Sequence, residues 1–471
     1  MITRTNDHSG LVALHRFGLG ARGGAAGDLR SAALDPRGYL AAELARPGGA
    51  LLDIPTLHAT SENLQTLYQL QEQVRRAQQV EPKEQVSKEQ MNATPSRPPD
   101  VNFLQQTFRA ETLARWQRQF SADAGFVERL VAFWSNHFCI SALKDGFVRA
   151  IAGAFEREAI RPHILGRFAD MLLAVEQHPA MLRFLDNMQS FGPNSRAGLN
   201  QKRGLNENLA REILELHTLG INGGYSQEDV TSLASIITGW TVVGPQAQLG
   251  PPGTFAFFQN AHQPGDHAVL GKTYKADGVE QGRRALTDIA RSPSTAKFIT
   301  TKFARHFVSD DPPKGLVARL TSVFTRTDGD LKALSLALIN DDEAWNAPLI
   351  KMRTPHEFFI AATRLIGRAP EDPGRINGGV ALLGQPIWQP AGPNGFSDAS
   401  AHWASAEGIK LRLEISSDMA NRLGDAMNAV ELAEVAFGGA MSQDTRTTIG
   451  RAESKQQALS LLLMSPEFQR R

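Results

Sequence analysis

Cysteine is almost absent from this 471-residue chain, which contains only Cys139. A single thiol cannot form an intramolecular disulfide, so the fold does not depend on an oxidising compartment. An excess of one charge is missing as well, because 50 lysines and arginines balance 49 aspartates and glutamates to a formal net charge of +1. Such a chain has no long-range field that attracts nucleic acid or an anionic membrane. We therefore expect no nucleic-acid partner.

Long apolar runs are also missing. No stretch approaches the roughly 18 apolar residues that a membrane span requires, so the sequence predicts no such span. The first residues, "MITRTNDHSGLVALHRFGLG", contain neither a continuous apolar core nor a small-residue cleavage site, and are not typical of a secretory signal. Taken alone, the sequence predicts a cytoplasmic protein.

Most of the well-patterned segments have helical spacing. In "GFVERLVAFWSNHF", for example, Phe126, Leu130, Phe133 and Trp134 share one helical face. Two stretches differ: the Gln- and Lys-rich segment 72–100 is typical of a flexible excursion, and "TFAF" and "HAVLG" in 252–275 predict a small β-hairpin or loop element. The predicted fold class is therefore mainly α, with many helices in two lobes.

The length of the chain suggests more than one core. We predict an N-terminal helical lobe over 1–245, which includes the excursion, and a C-terminal helical lobe over 246–471. One continuous domain is the alternative. Within the excursion, 80–98 is expected to be exposed and mobile, because its composition buries too little apolar area to offset its ordering entropy.

The stretch "NENLAREILELHTLGINGGYSQEDV" at 206–230 raises the question of function. It predicts a helix over 206–218, a Gly/Asn turn, and a second helix over 227–239 with a capping box between Ser226 and Asp229. The first helix is unusually polar. A solvated Arg211–Glu215 pair would explain part of this polarity, and polar side chains that line a binding site would explain all of it.

Several histidines lie beside turn or aromatic residues, including His137 in "FWSNHF" and His262 in "HQPGDHAVLG". Metal sites commonly recruit histidines and carboxylates from separate segments, although no H-E-x-x-H spacing occurs here. A serine nucleophile has less support, because the sequence contains no G-x-S-x-G.

Taken together, the 206–230 stretch, "AFWSNHF", "RFLDN", "TGWT", "LGQPIWQPAGPNGF" and "LLLMSPEFQRR" resemble a bacterial domain-of-unknown-function family, numbered eighteen hundred. The resemblance extends from "HRFGLGA" to the last residue, apart from the excursion. It implies a large, mostly helical protein of no settled activity. Two positions depart from the family pattern: Gln263 follows His262 where the family usually has Asp, and Phe396 follows Gly395 where it has Trp.

The resemblance also implies a partner. Such proteins are often encoded beside a second uncharacterised family that resembles alkaline-phosphatase-like hydrolases and often carries a twin-arginine export signal. A protein of that family is therefore the expected partner, and export together with it is the alternative to cytoplasmic residence.

Within this family pattern, the polar residues of 206–218 could line a cleft between lobes or form a buried network that locks helices together. For the cleft, we predict Glu212, Glu215 and His137 as catalytic residues. Glu212 borders the apolar face of this helix, which is formed by Leu205, Leu209, Ile213 and Leu216. Partial desolvation there should raise the pKa of Glu212. A regular α-helix turns His217 away from Glu215. Substrate-binding candidates are Asn136, Asn208, Arg211, Trp240 and Trp388, and a divalent metal is a candidate cofactor with His137, His262 and Glu212 as ligands.

Three functions follow from these residues. The first is a hydrolase with a carboxylate and histidine cleft, using Glu212 or Glu215 as general base, with or without a metal. The second is a non-catalytic helical partner or escort of the phosphatase-like protein. The third is a carbohydrate- or surface-binding module that uses Trp388, Phe396 and Trp403 as exposed aromatics.

Overall fold

The computed structural model describes residues 4–23, 27–80 and 98–471. The α-helices of the first half are α1 Arg4–Leu11, α2 Asp28–Leu34, α3 Pro36–Ala45, α4 Thr60–Val80, α5 Pro99–Ser121, α6 Phe126–His137, α7 Gly146–Phe155, α8 Phe168–Glu176, α9 Pro179–Phe184, α10 Arg196–Gln201, α11 Asn208–Glu212 and α12 Gln227–Ile236. Those of the second half are α13 Val279–Ala290, α14 Pro293–Phe307, α15 Lys314–Arg326, α16 Leu331–Asn340, α17 Asp342–Asn346, α18 Pro355–Ile366, α19 Gly374–Leu382, α20 Ser400–Trp403, α21 Ala406–Leu423, α22 Ala429–Phe437, α23 Gln443–Gly450, α24 Lys455–Met464 and α25 Pro466–Gln469. The protein is mainly α, as predicted.

The strands of the described residues form two small antiparallel pairs. β1 Trp240–Val242 pairs with β2 Phe255–Phe257, and β3 His267–Val269 pairs with β4 Lys272–Tyr274. The predicted β element near 252–275 is therefore present, but its predicted pairing was wrong. "TFAF" and "HAVLG" do not pair with each other, because β2 reaches back to the strand after α12 and β3 turns directly into β4 through Gly271, whose φ is +74°.

Within residues 4–23, 27–80 and 98–471, three helical turns are wider than α-helical ones. Val12–Phe17, Glu156–Ile160 and Ile213–Thr218 are π-helical. In such turns the backbone hydrogen bonds span five residues instead of four, and they frequently occur at functional sites. Each of the three also buries a polar side chain, namely Arg16, Glu156 and His217.

The predicted hairpin at 206–239 is confirmed in outline. α11 starts at Asn208, and the π-turn continues it to Thr218. The chain then reverses through Gly220 and Gly224, whose φ angles are +82° and +86°. The Ser226 capping box is present, with its side chain bonded to the amide of Asp229 and the reciprocal bond made. The second helix ends at Ile236, because the chain turns into β1 from there.

One apolar core cluster includes residues from both sides of the predicted boundary at 245/246. The ring of Phe17 lies 5.1 Å from that of Trp345 and 6.5 Å from that of Phe307, measured between centroids. The apolar core is thus continuous across 245/246, and both the division into two lobes and the alternative of one domain stay predictions.

The predicted excursion at 72–100 is partly helical, because α4 extends to Val80 and α5 starts at Pro99. Glu72 accepts hydrogen bonds from Arg75 and Arg76 on successive positions of α4, which supports the helix there. The mobility predicted for 80–98 falls mainly on 81–97, which lies outside the described residues. Within the part of the chain that the structure describes, no helix is long and apolar enough to cross a membrane.

Candidate functional site

A polar cleft opens beside the C-terminal end of α6 and the middle of α14. It has a volume of about 410 Å³. We call it the Lys302 cleft, and its lining consists of Phe133, Asn136, His137, Lys302, Arg305, Asp310, Asn394, Phe396, Ser397, Asp398 and Ala399. Two helices and the irregular loop 394–399 therefore supply nearly all of its wall. Its size is within the range of small-molecule sites.

Lys302 and His137 make the central contact of the cleft. The Nζ atom of Lys302 on α14 lies 3.0 Å from Nδ1 of His137 on α6. Burial lowers the pKa of Lys302 to about 8, because the charged ammonium loses solvation. Asp398 opposes this shift and Arg305 adds to it. Lys302 is thus an amine that changes its charge close to neutral pH.

The partners of His137 determine which ring nitrogen carries the proton. Nε2 lies 3.0 Å from the backbone oxygen of His217, so it must donate its N–H there. Nδ1 is then free of hydrogen and accepts from Lys302. Burial, followed by the charge of Lys302, holds the pKa of His137 well below its usual range. His137 is therefore a neutral acceptor at physiological pH.

A buried hydrogen bond between His217 and Glu176 lies next to this arrangement. Nδ1 of His217 lies 2.8 Å from a carboxylate oxygen of Glu176, and neither side chain has any exposed area. His217 is in the π-turn after α11, where the wider turn directs its backbone oxygen to His137 and its ring to α8. The second nitrogen of His217 and the second oxygen of Glu176 have no protein partner in this structure.

The two acids of the cleft already have cationic or imidazole partners. Asp398 lies 2.9 Å from Nδ1 of His306, and its pKa is far below the usual range because His306 and Lys351 outweigh its burial. Asp310 lies 2.7 Å from the ammonium of Lys351. Both carboxylates therefore contact partners other than Lys302 and Arg305.

The two cations that line the cleft, Lys302 and Arg305, lack carboxylate partners in the described part of the chain. Among the described residues, no carboxylate lies within ion-pairing distance of Lys302 or Arg305. Lys302 donates to neutral His137, and Arg305 donates its Nε–H to the backbone oxygen of Asp310 at 3.1 Å. Both cations therefore lack a direct carboxylate contact among the described residues, which favours an anionic ligand.

The loop that closes the cleft is attached to α6 by one side chain. Asn136 donates to the backbone oxygen of Phe396 at 2.9 Å and accepts from its amide at 2.8 Å. The two backbones approach so closely that a β-carbon on residue 395 would lie 2.5 Å from the backbone oxygen of Asn136. Gly395 also has a φ of +73°, which favours glycine. Asn136, predicted to bind substrate, thus lines the cleft and also holds its loop.

The predicted carboxylates lie next to this network. Glu212 is half-buried, and burial raises its pKa as expected, with His217 acting in the opposite direction. Glu215 accepts a hydrogen bond from the hydroxyl of Tyr225 at 3.3 Å. Neither residue lines the Lys302 cleft, so their catalytic roles stay predictions.

Other predicted residues lie in different surroundings. Arg211 pairs with Glu207 at 3.0 Å and with Gln227 at 2.9 Å, so the expected Arg211–Glu215 pair was wrong. Asn208 is exposed at the start of α11. Trp240 is fully buried and packs edge-on against Phe255, which gives no support to a role in substrate binding.

His262 lies in the loop after β2. Its Nδ1 is 3.0 Å from the backbone oxygen of Thr238, and its ring packs against Phe257. Both nitrogens of His137 have protein partners. In the described ranges no group of three or more His, Cys, Asp or Glu side chains is arranged to hold a metal ion. The set His137, His262 and Glu212 therefore stays a prediction without geometric support.

Trp388 lines a second, smaller pocket of about 70 Å³ on the other side of Asn136 and Phe396. Its indole N–H donates to buried Glu156 at 3.2 Å, and its φ of +51° is unusual for a bulky residue. Trp388 and Phe396 are half-buried, and Trp403 is only 4% exposed. The expectation that these three are exposed aromatics was wrong, because the indole groups of both tryptophans donate hydrogen bonds inside the fold.

Sequence reasoning missed the cationic side of the cleft. Lys302, Arg305 and His306 occur in "KFARH" at i, i+3 and i+4, which places them on one side of α14. Asp398 comes from a loop remote in sequence. The available signal was three basic side chains beside the buried aromatics Phe303 and Phe307.

The comparisons with known proteins give a family but no characterised relative. No curated protein and no solved structure matches the chain. One family model does match, over residues 12–470, and its description is "Protein of unknown function (DUF1800)". Because this match covers nearly the whole chain, the protein belongs to the DUF1800 family.

Proposed function

We propose that this protein is an enzyme that binds a small substrate through an anionic group, a phosphate or carboxylate, in the Lys302 cleft and hydrolyses it. The observation that carries the proposal is the contact between Lys302 and neutral His137 in a cleft whose cations lack carboxylate partners. Structural lysines are usually paired with acids or solvated. This one is held by an acceptor that cannot neutralise it.

Lys302 and Arg305 would bind the anion in this proposal. Hydrogen bonds from charged donors each contribute about 1.5–3 kcal/mol. Lys302 is partly buried, whereas Arg305 is exposed, so solvent screens the contribution of Arg305 more strongly. Both side chains are on α14, so one rigid helix sets their spacing. Asn136 and Phe396 fix the opposite wall.

Protonated Lys302 would also act as the general acid. A proton donor is most effective when its pKa is close to the working pH, and burial brings the pKa of Lys302 to about 8. His137 accepts one N–H of Lys302, which orients the ammonium and leaves its other protons for the leaving group of the substrate.

Calorimetric titration with inorganic phosphate and with acetate tests the anion site. We expect binding that weakens by about tenfold or more in Lys302→Met, because one charge-assisted hydrogen bond is lost. The matched control is Lys297→Met, an exposed lysine on the same helix, which should bind like the wild type. Equal affinity in Lys302→Met and the wild type, or no binding to either anion, would overturn the proposal.

Hydrolysis is tested separately with chromogenic phosphate and carboxylate esters. We expect the rate to fall above pH 8, where Lys302 loses its proton, and to be lost in Lys302→Met. Activity that is unchanged in that variant would refute the assignment of the general acid, even if anions bind.

A further inference from the structure

We propose that Lys302 is also a nucleophile that forms an imine with small carbonyl compounds bearing an anionic group. The proposal rests on the anion site of the proposed function, and it adds a substrate class: aldehydes or ketones that carry a phosphate or carboxylate.

The geometry around Nζ carries the inference. One N–H of Lys302 is directed to Nδ1 of His137 at 3.0 Å, and the ring of Phe298 lies 5.4 Å away. Because Nδ1 is an acceptor, it cannot donate to the lone pair of the neutral amine. That lone pair is left for the open side of Lys302, which is the cleft. No carboxylate within ion-pairing distance among the described residues holds the amine in its charged form.

The surroundings also position a carbonyl ligand. Arg305 lies one helical turn from Lys302 and keeps four of its five N–H groups free of protein partners among the described residues, since only Nε–H is donated, to Asp310. An anion bound there brings an attached carbonyl group to the amine. Asp398 faces the same space, but it contacts His306 at 2.9 Å and neither of the two cations.

The chemistry needs no further reactant. The amine lone pair attacks the carbonyl carbon, a C–N bond forms, and the carbonyl electron pair moves to oxygen, which takes a proton. The C–O bond of the resulting carbinolamine then breaks. Water leaves with both amine hydrogens, and a C=N bond remains.

The population of free amine supports this step. With a pKa of about 8, roughly half of Lys302 is free amine at pH 8, whereas a lysine with an ordinary pKa is free amine in well under 1% of molecules. A nucleophilic lysine is commonly activated by desolvation beside another cation. The titratable and charged groups near Lys302 are His137 from α6, Cys139 just after that helix, Arg305 from its own helix, and Asp398 from the loop.

The test uses pyridoxal 5′-phosphate and pyridoxal, which differ only in the phosphate group. Each is incubated with the full chain at pH 8, the imine is reduced with borohydride, and labelled lysines are identified by peptide mass spectrometry. We expect the phosphate compound to label Lys302 about tenfold faster than any other lysine. Lys302→Arg, which keeps the charge but cannot form an imine, should lose that label and still bind inorganic phosphate.

The outcomes separate the two proposals. If phosphate binds but Lys302 is labelled no faster than exposed Lys297, the imine proposal is overturned and the anion site stands. If pyridoxal labels Lys302 as fast as pyridoxal 5′-phosphate does, the amine is nucleophilic but the anionic requirement is wrong. Arg305→Gln should slow labelling by the phosphate compound alone, and an equal slowing of both compounds would contradict the role of Arg305.

Discussion

The cluster around Glu156 and the Lys302 cleft both place charged side chains below the surface, but they pair them differently. Glu156 is held by Arg115 at 2.9 Å and by Arg161 at 3.1 Å, and all three side chains are buried. In the cleft, Lys302 contacts a neutral imidazole instead. Buried charges that are fully paired hold helices together, whereas a cation left without a carboxylate is available to a ligand.

The largest loss of stability is expected in the cluster around Glu156, where the buried charges are fully paired. Glu156→Gln leaves Arg115 as an uncompensated buried charge, so we expect the free energy of unfolding to fall by about 3–5 kcal/mol. Chemical denaturation measures this. The control is Glu207→Gln, which removes the partly exposed pair with Arg211 and should change stability by less than about 1 kcal/mol. Similar small effects for both variants would remove the distinction between buried and exposed pairs.

A smaller loss of stability is expected for the buried contact between Glu176 and His217, next to His137. Glu176→Gln weakens the buried bond to His217, which we expect to cost roughly 1–3 kcal/mol. It should also move the pH midpoint of Lys302 labelling, because His217 orients His137. Glu228→Gln, an exposed residue, is the control. A loss of stability with an unchanged labelling profile would make Glu176 a packing residue with no influence on the cleft.

Removal of the cleft cation should not destabilise the fold. Burial of Lys302 depresses its pKa from 10.5 to about 8. Between these values the unfolded chain binds a proton that the folded chain lacks, so the stability of the wild type rises with pH across this window. We therefore expect Lys302→Met to be more stable below pH 8, on the order of 1 kcal/mol after screening in the open cleft. A clear loss of stability at pH 7 would contradict an unpaired cation.

The sequence predicted the helices better than the site. Capping and periodicity predicted helices over 206–218 and 227–239, and the structure has them over 208–218 and 227–236; the agreement is close because these signals are local. The α-helical spacing used to assign residues to the buried and exposed faces fails after Glu212. The π-turn over Ile213–Thr218 changes the angle at which these side chains project from the helix. His217 is consequently buried against Glu176, and Leu214 is buried while Leu216 is only half-buried.

The cleft itself could not be assembled from sequence. Lys302 and Asp398 line one cleft only because α14 and the loop 394–399 are brought together by the fold, and no local sequence pattern encodes that arrangement. His137 was predicted to be functional from its place at the end of an aromatic helix, and it lines the cleft. The phosphatase-like partner and the route of export stay predictions of the family resemblance alone.

The charge of Lys302 is the most direct test of the account. Nuclear magnetic resonance of lysine labelled with ¹³C at Cε, assigned with Lys302→Arg, follows its titration in the full chain. We expect a midpoint near pH 8 that moves upward when inorganic phosphate is added, because a bound anion favours the protonated amine. A midpoint near the ordinary lysine value of 10.5 that phosphate does not move would contradict the central claim of an unpaired, ligand-ready cation.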